Sequence, residues 1–226
     1  MKKIILAITI LSVLINTFAF SPAYAAGEDI VSEFESGTSD YVSEDTSKVQ
    51  VMIYNKALKT VVLNTADASS IYKTLSRIEG EYYNRVKIVA KVESASGFAN
   101  ASDYGFGLYF EGLTKGYSTL KKDESRTIFV PYTNLAKSGS SYTNSAFQEY
   151  VVDLSNLPKW SECKISKFYI KPLKNATGTV HIDSVRLYHD DKPIGSIGQT
   201  EFNGDVTFLT TDIAIWHQLH ITTQAE

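Results

Sequence analysis

Tyr104-Gly-Phe-Gly-Leu-Tyr-Phe-Glu111 decides how this chain is read. Side chains on an extended backbone point alternately to opposite faces. Phe106, Leu108 and Phe110 therefore share one face, and Gly105, Gly107, Tyr109 and Glu111 share the other. The same alternation recurs on both sides of this stretch. Upstream, Val86, Ile88, Ala90 and Val92 alternate with Lys87, Lys91 and Glu93. Downstream come Ile128 and Val130, then Tyr150, Val152 and Leu154, then Phe168 and Ile170 between Lys167, Tyr169 and Lys171. Val180-His-Ile-Asp-Ser-Val-Arg-Leu-Tyr188 is the last strong strand. Weaker candidates are 30–35, 49–54, 60–64 and 69–72, all rich in the β-branched and aromatic residues that suit a pleated surface. Residues 66–77 could hold one short helix, although Ser69-Ser-Ile-Tyr72 fits a strand equally well.

Loop chemistry separates these segments. Glu35-Ser-Gly-Thr-Ser-Asp40, Ser94-Ala-Ser-Gly97, Lys137-Ser-Gly-Ser-Ser141 and Lys174-Asn-Ala-Thr-Gly178 are turn or loop signals. A single open sheet of so many half-apolar strands would leave an apolar face in water. The pattern therefore predicts an all-β, two-sheet sandwich over residues 29–188, long enough to bury a core without disulfides. Residues 189–226 form a linker and a C-terminal extension of unassigned structure.

The N-terminal segment reads differently. Met1-Lys-Lys3 precedes a nearly continuous apolar run from Ile4 to Phe20, followed by Ser21-Pro22 and Ala23-Tyr-Ala25. A basic start, an apolar centre and an A-x-A site predict a cleaved secretory signal peptide over residues 1–25. The run matches the roughly 17-residue minimum for crossing a membrane. The Ala-Tyr-Ala site after Pro22, rather than length, therefore favours cleavage over anchoring. The mature chain is expected to be secreted and free of the membrane, and the Lys-started leader fits a bacterial exporter. The formal charge of −3 becomes −5 when Lys2 and Lys3 leave with the leader. That balance argues against a nucleic-acid binder working through a basic surface. One cysteine, Cys163, excludes an internal disulfide framework and Cys-rich zinc sites. It is expected to be a partly buried thiol in a strand-entry turn, with intermolecular pairing as the alternative.

The order of segments resembles the jelly-roll carbohydrate-binding modules, galactose-binding-like β-sandwiches of secreted proteins. Phe34-Glu-Ser-Gly-Thr38 is similar to their opening. Glu149-Tyr-Val-Val-Asp-Leu-Ser155 followed by Trp160 resembles their penultimate region. Ile165–Pro172 and Gly178–Leu187 resemble their closing strand pair. Many such modules place a tryptophan soon after the opening glutamate, where this chain has Tyr41. The resemblance implies non-catalytic binding of a polysaccharide or oligosaccharide, beside or appended to a glycan-degrading enzyme. It also implies a structural calcium held by Glu35 and Asp183. Asp183 interrupts the alternation of Val180, Ile182, Val185 and Leu187, as a bulge would, and a bulge there could turn its carboxylate inward or toward an edge. The alternative is an Asp183 that caps a turn or pairs with Arg186, and an exposed Glu35.

Sugars present apolar C–H faces and a rim of hydroxyls, so aromatic platforms with nearby donors and acceptors suit them. Within 104–111, Tyr104, Tyr109 and Glu111 are candidates, with Gly105 and Gly107 as a groove floor or as a site of tight packing. Tyr169 between Lys167 and Lys171 is a second candidate face, or an ordinary solvated one. Trp160 is a loop platform or a cover for one end of the core.

Catalysis is the competing class, as a jelly-roll glycoside hydrolase or polysaccharide lyase. Asp103, Glu111, Asp123, Glu124 and Asp153 supply carboxylates, but no tight acidic cluster stands on one strand. His217 and His220 would face opposite ways on a strand, and no nucleophile-elbow, zincin or phosphate-loop motif occurs. A structural or adhesive secreted sandwich is the third class.

Overall fold

The structure, a computed structural model, describes residues 28–65, 67–123 and 126–191. The signal-peptide reading of 1–25, the pair His217 and His220, Glu124 and nearly all of the C-terminal extension lie outside the described residues.

The described chain is a two-sheet antiparallel sandwich. In chain order the strands are β1 (Ile30–Glu33), β2 (Tyr41–Ser43), β3 (Val49–Tyr54), β4 (Ala57–Val62), β5 (Ile71–Glu79), β6 (Arg85–Ser96) and β7 (Gly105–Thr114), followed by β8 (Thr119–Leu120), β9 (Ile128–Pro131), β10 (Ala136–Ser138), β11 (Ser141–Thr143), β12 (Gln148–Asp153), β13 (Cys163–Lys171) and β14 (Thr177–Tyr188). The central order of the first sheet is β4-β14-β6-β12, with β3 outside β4, β1 beside β14 and β11-β10 beside β6. The central order of the second is β5-β13-β7-β9, with β2 outside β5 and β8 on β7.

This order explains the topology. The first arm of the chain, β4 to β7, pairs with the last arm in reverse: β4 with β14, β5 with β13, β6 with β12 and β7 with β9. One long antiparallel hairpin has been rolled so that successive strands fall in alternate sheets. That is a jelly roll, and it needs no long parallel crossover.

The core lies between the sheets. Val86, Ile88, Ala90 and Val92 of β6, with Val180, Ile182, Val185 and Leu187 of β14, form one wall of the core, and Phe106, Leu108 and Phe110 of β7, with Phe168 and Ile170 of β13, form the other, all buried. The faces assigned by alternation are the ones observed. Among the described residues of this region no helix forms: 67–68 are a turn, and Ile71–Glu79 is β5, held between β2 and β13.

Three register shifts interrupt the ladders, the first where Thr179 and Val180 of β14 pass Glu93 of β6. In β14 the register against β6 shifts between Ile182 and Ser184, so Asp183 is the extra residue. The bulge matches the broken alternation, but Asp183 is exposed: its carboxylate faces water and not the interior. In β13 the register shifts at Ser166, opposite Leu75–Arg77 of β5.

Cys163 is the first residue of β13, and 1% of its surface is exposed. Burial, and then the charge of Glu162, raise its thiol pKa above the ordinary value. The thiol is therefore inert at neutral pH. Native protein is expected to leave a disulfide-exchange chromophore unreacted at pH 8, and guanidinium should release one thiol per chain. Fast, complete reaction of the folded protein would contradict this burial.

Candidate functional site

The outward face of the second sheet carries a row of aromatic side chains. Register places Tyr72 of β5, Tyr169 of β13 and Tyr109 of β7 side by side on neighbouring strands. The rings of Tyr109 and Tyr169 stack at 4.8 Å and 8°, and Tyr72 tilts against Tyr169 at 5.3 Å and 39°. Cross-strand aromatic pairs stabilise a sheet by about 0.2–1 kcal/mol each. The next row is Thr74, Lys167 and Glu111. Glu111 pairs with Lys167 at 3.3 Å and accepts a hydrogen bond from the Tyr169 hydroxyl. Burial first, then that bond and the charge of Glu111, push the Tyr169 phenol well above its usual range.

The row is partly roofed. Tyr109 is 1% exposed and Tyr169 2%, whereas Tyr72 is half-buried. The ammonium of Lys122 lies 5.9 Å over the Tyr109 ring and pairs with Glu44 at 2.5 Å. The Tyr109 hydroxyl donates to Ser70 Oγ. Lys167 sits 4.9 Å over the Tyr72 ring. Next to this row an open cleft of about 600 Å³ is lined by Glu44, Arg77, Glu111, Lys121, Lys122 and Ser166 together with Gly112, Leu113, Thr119 and Leu120.

The structure thus brings Tyr109, Tyr169 and Glu111 together on one face, but it does not place Tyr104 or Trp160 there. Tyr104 is fully buried, packs against Tyr142 and closes its hydroxyl on the backbone of Phe98. It stands just before β7 with its ring turned into the core, so no ligand from solvent reaches it. Trp160 is 1% exposed, meets Phe110 and Phe168 edge-on, and donates from Nε1 to the carbonyl of Tyr83 at 2.6 Å. It covers one end of the core and offers no open platform.

Gly105 and Gly107 form no groove floor. A side chain at Gly105 would lie 2.6 Å from the Phe129 ring, and one at Gly107 would lie 2.8 Å from the Thr127 methyl. The chain's own β9 segment fills the space that the missing side chains leave.

Glu35 is exposed and lies 3.4 Å from the Lys56 ammonium. Arg186 pairs with Asp29 rather than with Asp183. Among the described residues no three His, Cys, Asp or Glu side chains gather as a metal-ligand group.

The carboxylates considered for catalysis stand on separate elements with separate partners. Asp103 accepts from Asn100, Asp123 pairs with Arg126, and Asp153 pairs with Arg85 while capping Ser155. His181 lies on the opposite sheet, 2.6 Å from Glu93.

Sequence reasoning missed Tyr72, Arg77, Glu44 and Lys122. Tyr72 ends a stretch read as a possible strand, but its alignment with Tyr169 exists only once β5 and β13 are paired. Arg77 stood at the end of a stretch left between helix and strand.

No family model matches this sequence, and no curated protein matches it. Among solved structures, the CBM27-1 module of Caldicellulosiruptor saccharolyticus, in complex with mannohexaose, is 16% identical, with a TM-score of 0.39 and coverage of 73% of this chain and 98% of that one. The CBM22-1 xylan-binding domain of Paenibacillus barcinonensis Xyn10C is 16% identical, with a TM-score of 0.39 and coverage of 71% and 94%. The K1 adhesin domain of Lys-gingipain from Porphyromonas gingivalis W83 is 10% identical, with a TM-score of 0.41 and coverage of 73% and 99%. At these values the jelly-roll assignment rests on the strand order itself.

Proposed function

We propose that this chain is a secreted, non-catalytic carbohydrate-binding domain. The observation that carries the reading is the Tyr72–Tyr169–Tyr109 row beside the cleft, on a sheet face that combines aromatic rings with charged and hydroxyl groups. Ring faces suit sugar C–H faces, and the ammonium, guanidinium, carboxylate and hydroxyl groups of the cleft suit a hydroxyl rim. Tyr72 is the accessible ring, and Tyr169, itself stacked on Tyr109, braces it from one side. The resemblance in segment order points the same way.

Catalysis is disfavoured by the pairing of the two cleft carboxylates. A glycosidase sets two carboxyl groups across the scissile bond, one of them as a proton donor. Here Glu44 and Glu111 are each engaged by a lysine, at 2.5 and 3.3 Å. A pull-down on insoluble polysaccharides, with analysis of soluble products, separates the classes. Retention without product release is expected. Shortened products would establish an enzyme, and no retention on any glycan would favour a structural sandwich.

The signal-peptide reading of residues 1–25 supports secretion. No helix among the described residues is long and apolar enough to cross a membrane. A polysaccharide-binding domain of this kind serves a glycan-degrading enzyme, appended or separate, by holding it on its substrate.

We further propose a calcium ion near the β14 bulge, with Asp183 and Glu35 as its carboxylate ligands. At this bulge the edge partner of β14 changes from β4, which pairs up to Ile182, to β1, which pairs from Ser184. Such a switch leaves backbone carbonyls outside the ladder, and calcium accepts them. With two carboxylates at most and Lys56 beside Glu35, the ion would be held weakly. Thorough chelation is expected to lower Tm by a few degrees, and added calcium should restore it. An unchanged Tm would remove calcium from the account.

A further inference from the structure

The cleft beside the tyrosine row has a charge balance opposite to that of the chain. The whole sequence carries a formal −3. In the cleft, Glu44 is neutralised by Lys122 at 2.5 Å and Glu111 by Lys167 at 3.3 Å. Arg77 and Lys121 line the same cleft, and neither has an acidic partner among the described residues. The open charge of the cleft is therefore positive, with one guanidinium and one ammonium to spare.

Arg77 is one of eight non-glycine residues with a positive φ among the described residues, and within β5 it breaks the extended strand. It is a non-glycine residue at φ 57°, in the left-handed region, which costs a side-chain-bearing residue about 1 kcal/mol or more. It belongs to the three-residue excursion Leu75–Arg77 that faces the single residue Ser166 across the β5–β13 ladder. Regular pairing would have kept that backbone extended. The excursion brings Arg77 to the cleft, with Ser166 beside it in the lining.

We infer that the preferred ligand is a glycan bearing carboxylates, a uronic-acid polysaccharide, with Arg77 and Lys121 receiving a uronate carboxylate while Tyr72 meets a neighbouring ring. This inference rests on the carbohydrate reading above and narrows it to a ligand class. A planar guanidinium matches a carboxylate in a two-point hydrogen bond, and a uronic-acid polymer presents carboxylates repeatedly along its length. The exposed positions of Arg77 and Lys121 leave each pair weak by itself, so the contribution is screened by salt.

The test compares polymers that differ in charge alone. Polygalacturonate, alginate and glucuronoxylan are each set beside the same polymer with its carboxyl groups methyl-esterified, and mannan and amorphous cellulose serve as neutral references. The full chain is expected to bind at least one uronate polymer about tenfold more tightly than its ester, a difference of about 1.4 kcal/mol. Salt should erode that preference. The double variant Arg77→Gln/Lys121→Gln, two exposed substitutions that leave Tm unchanged, should bind acid and ester alike.

Equal binding of acid and ester by the unmodified chain overturns the inference, as does a preference that survives in the double variant. Equally strong binding of dextran sulfate would reduce the effect to bare charge and overturn it too. Retention on neutral polymers that Tyr72→Ala abolishes and the double variant keeps would sink the uronate inference and leave the carbohydrate reading standing. Retention on no polymer of either kind would sink both.

Discussion

Trp160→Ala is expected to cost about 3–5 kcal/mol of folding stability, the usual range for truncating a large buried aromatic. The site gives little room to relax. Trp160 is 1% exposed, and its ring is set edge-on against Phe110 at 5.2 Å and Phe168 at 6.0 Å. Gly80 presses on the same turn: a side chain there would lie 2.0 Å from the Trp160 carbonyl oxygen, so the backbone cannot close over a cavity. The substitution also strips the buried Tyr83 carbonyl of its indole donor. Equilibrium unfolding in denaturant should show the midpoint falling with an unchanged slope. A loss under about 1 kcal/mol would mean that Trp160 lies at the surface, as a ligand platform would. Trp160→Phe keeps the packing and loses the hydrogen bond, and it should fall between the two.

Tyr72→Ala is expected to weaken glycan retention by about tenfold or more, because one aromatic–sugar contact of about 1–2 kcal/mol disappears. Stability should fall by no more than about 1 kcal/mol, since the ring is half-buried and packs on one side. Tyr109 is not an equivalent probe, although it is the residue most evident in the sequence. At 1% exposure, stacked on Tyr169 and bonded to Ser70, its truncation opens the sheet face and lowers stability and binding together. Tyr169→Phe separates the roles further. It keeps the stack and breaks the hydrogen bond to Glu111, so retention should fall less than for Tyr72→Ala.

The strands were legible where alternation ran unbroken. From Val86 to Val92 in β6 and from Phe106 to Phe110 in β7 every second residue is a core residue, and the faces follow directly. The region of β5 was ambiguous for a physical reason. Its inward residues Ile71 and Leu75, with half-buried Ile78, are spaced by four and three, as on a helix, because the left-handed turn at Arg77 inserts a residue into the strand. The Asp183 bulge showed as a skipped beat between Ile182 and Val185. The direction of its carboxylate did not, since that depends on β1 and β4 meeting along one edge of β14. The site was legible as an outward Tyr109 and Tyr169. Its cover was not, because Glu44 and Lys122 are 78 residues apart and meet only after the sheets form. Trp160 shows the same limit. A tryptophan in a loop sequence can serve a ligand or the core, and only the packing of Tyr83, Phe110 and Phe168 around it decides.

The central claim is that the outward face of the β5-β13-β7 sheet holds a glycan. It is tested most directly by affinity electrophoresis of the unmodified chain and Tyr72→Ala through gels carrying a panel of soluble neutral and uronate polysaccharides. The unmodified chain should be retarded by at least one polymer, and Tyr72→Ala should run in that gel as it does without polymer. A chain retarded by none of them, or a Tyr72→Ala variant retarded as strongly as its parent, would contradict the account.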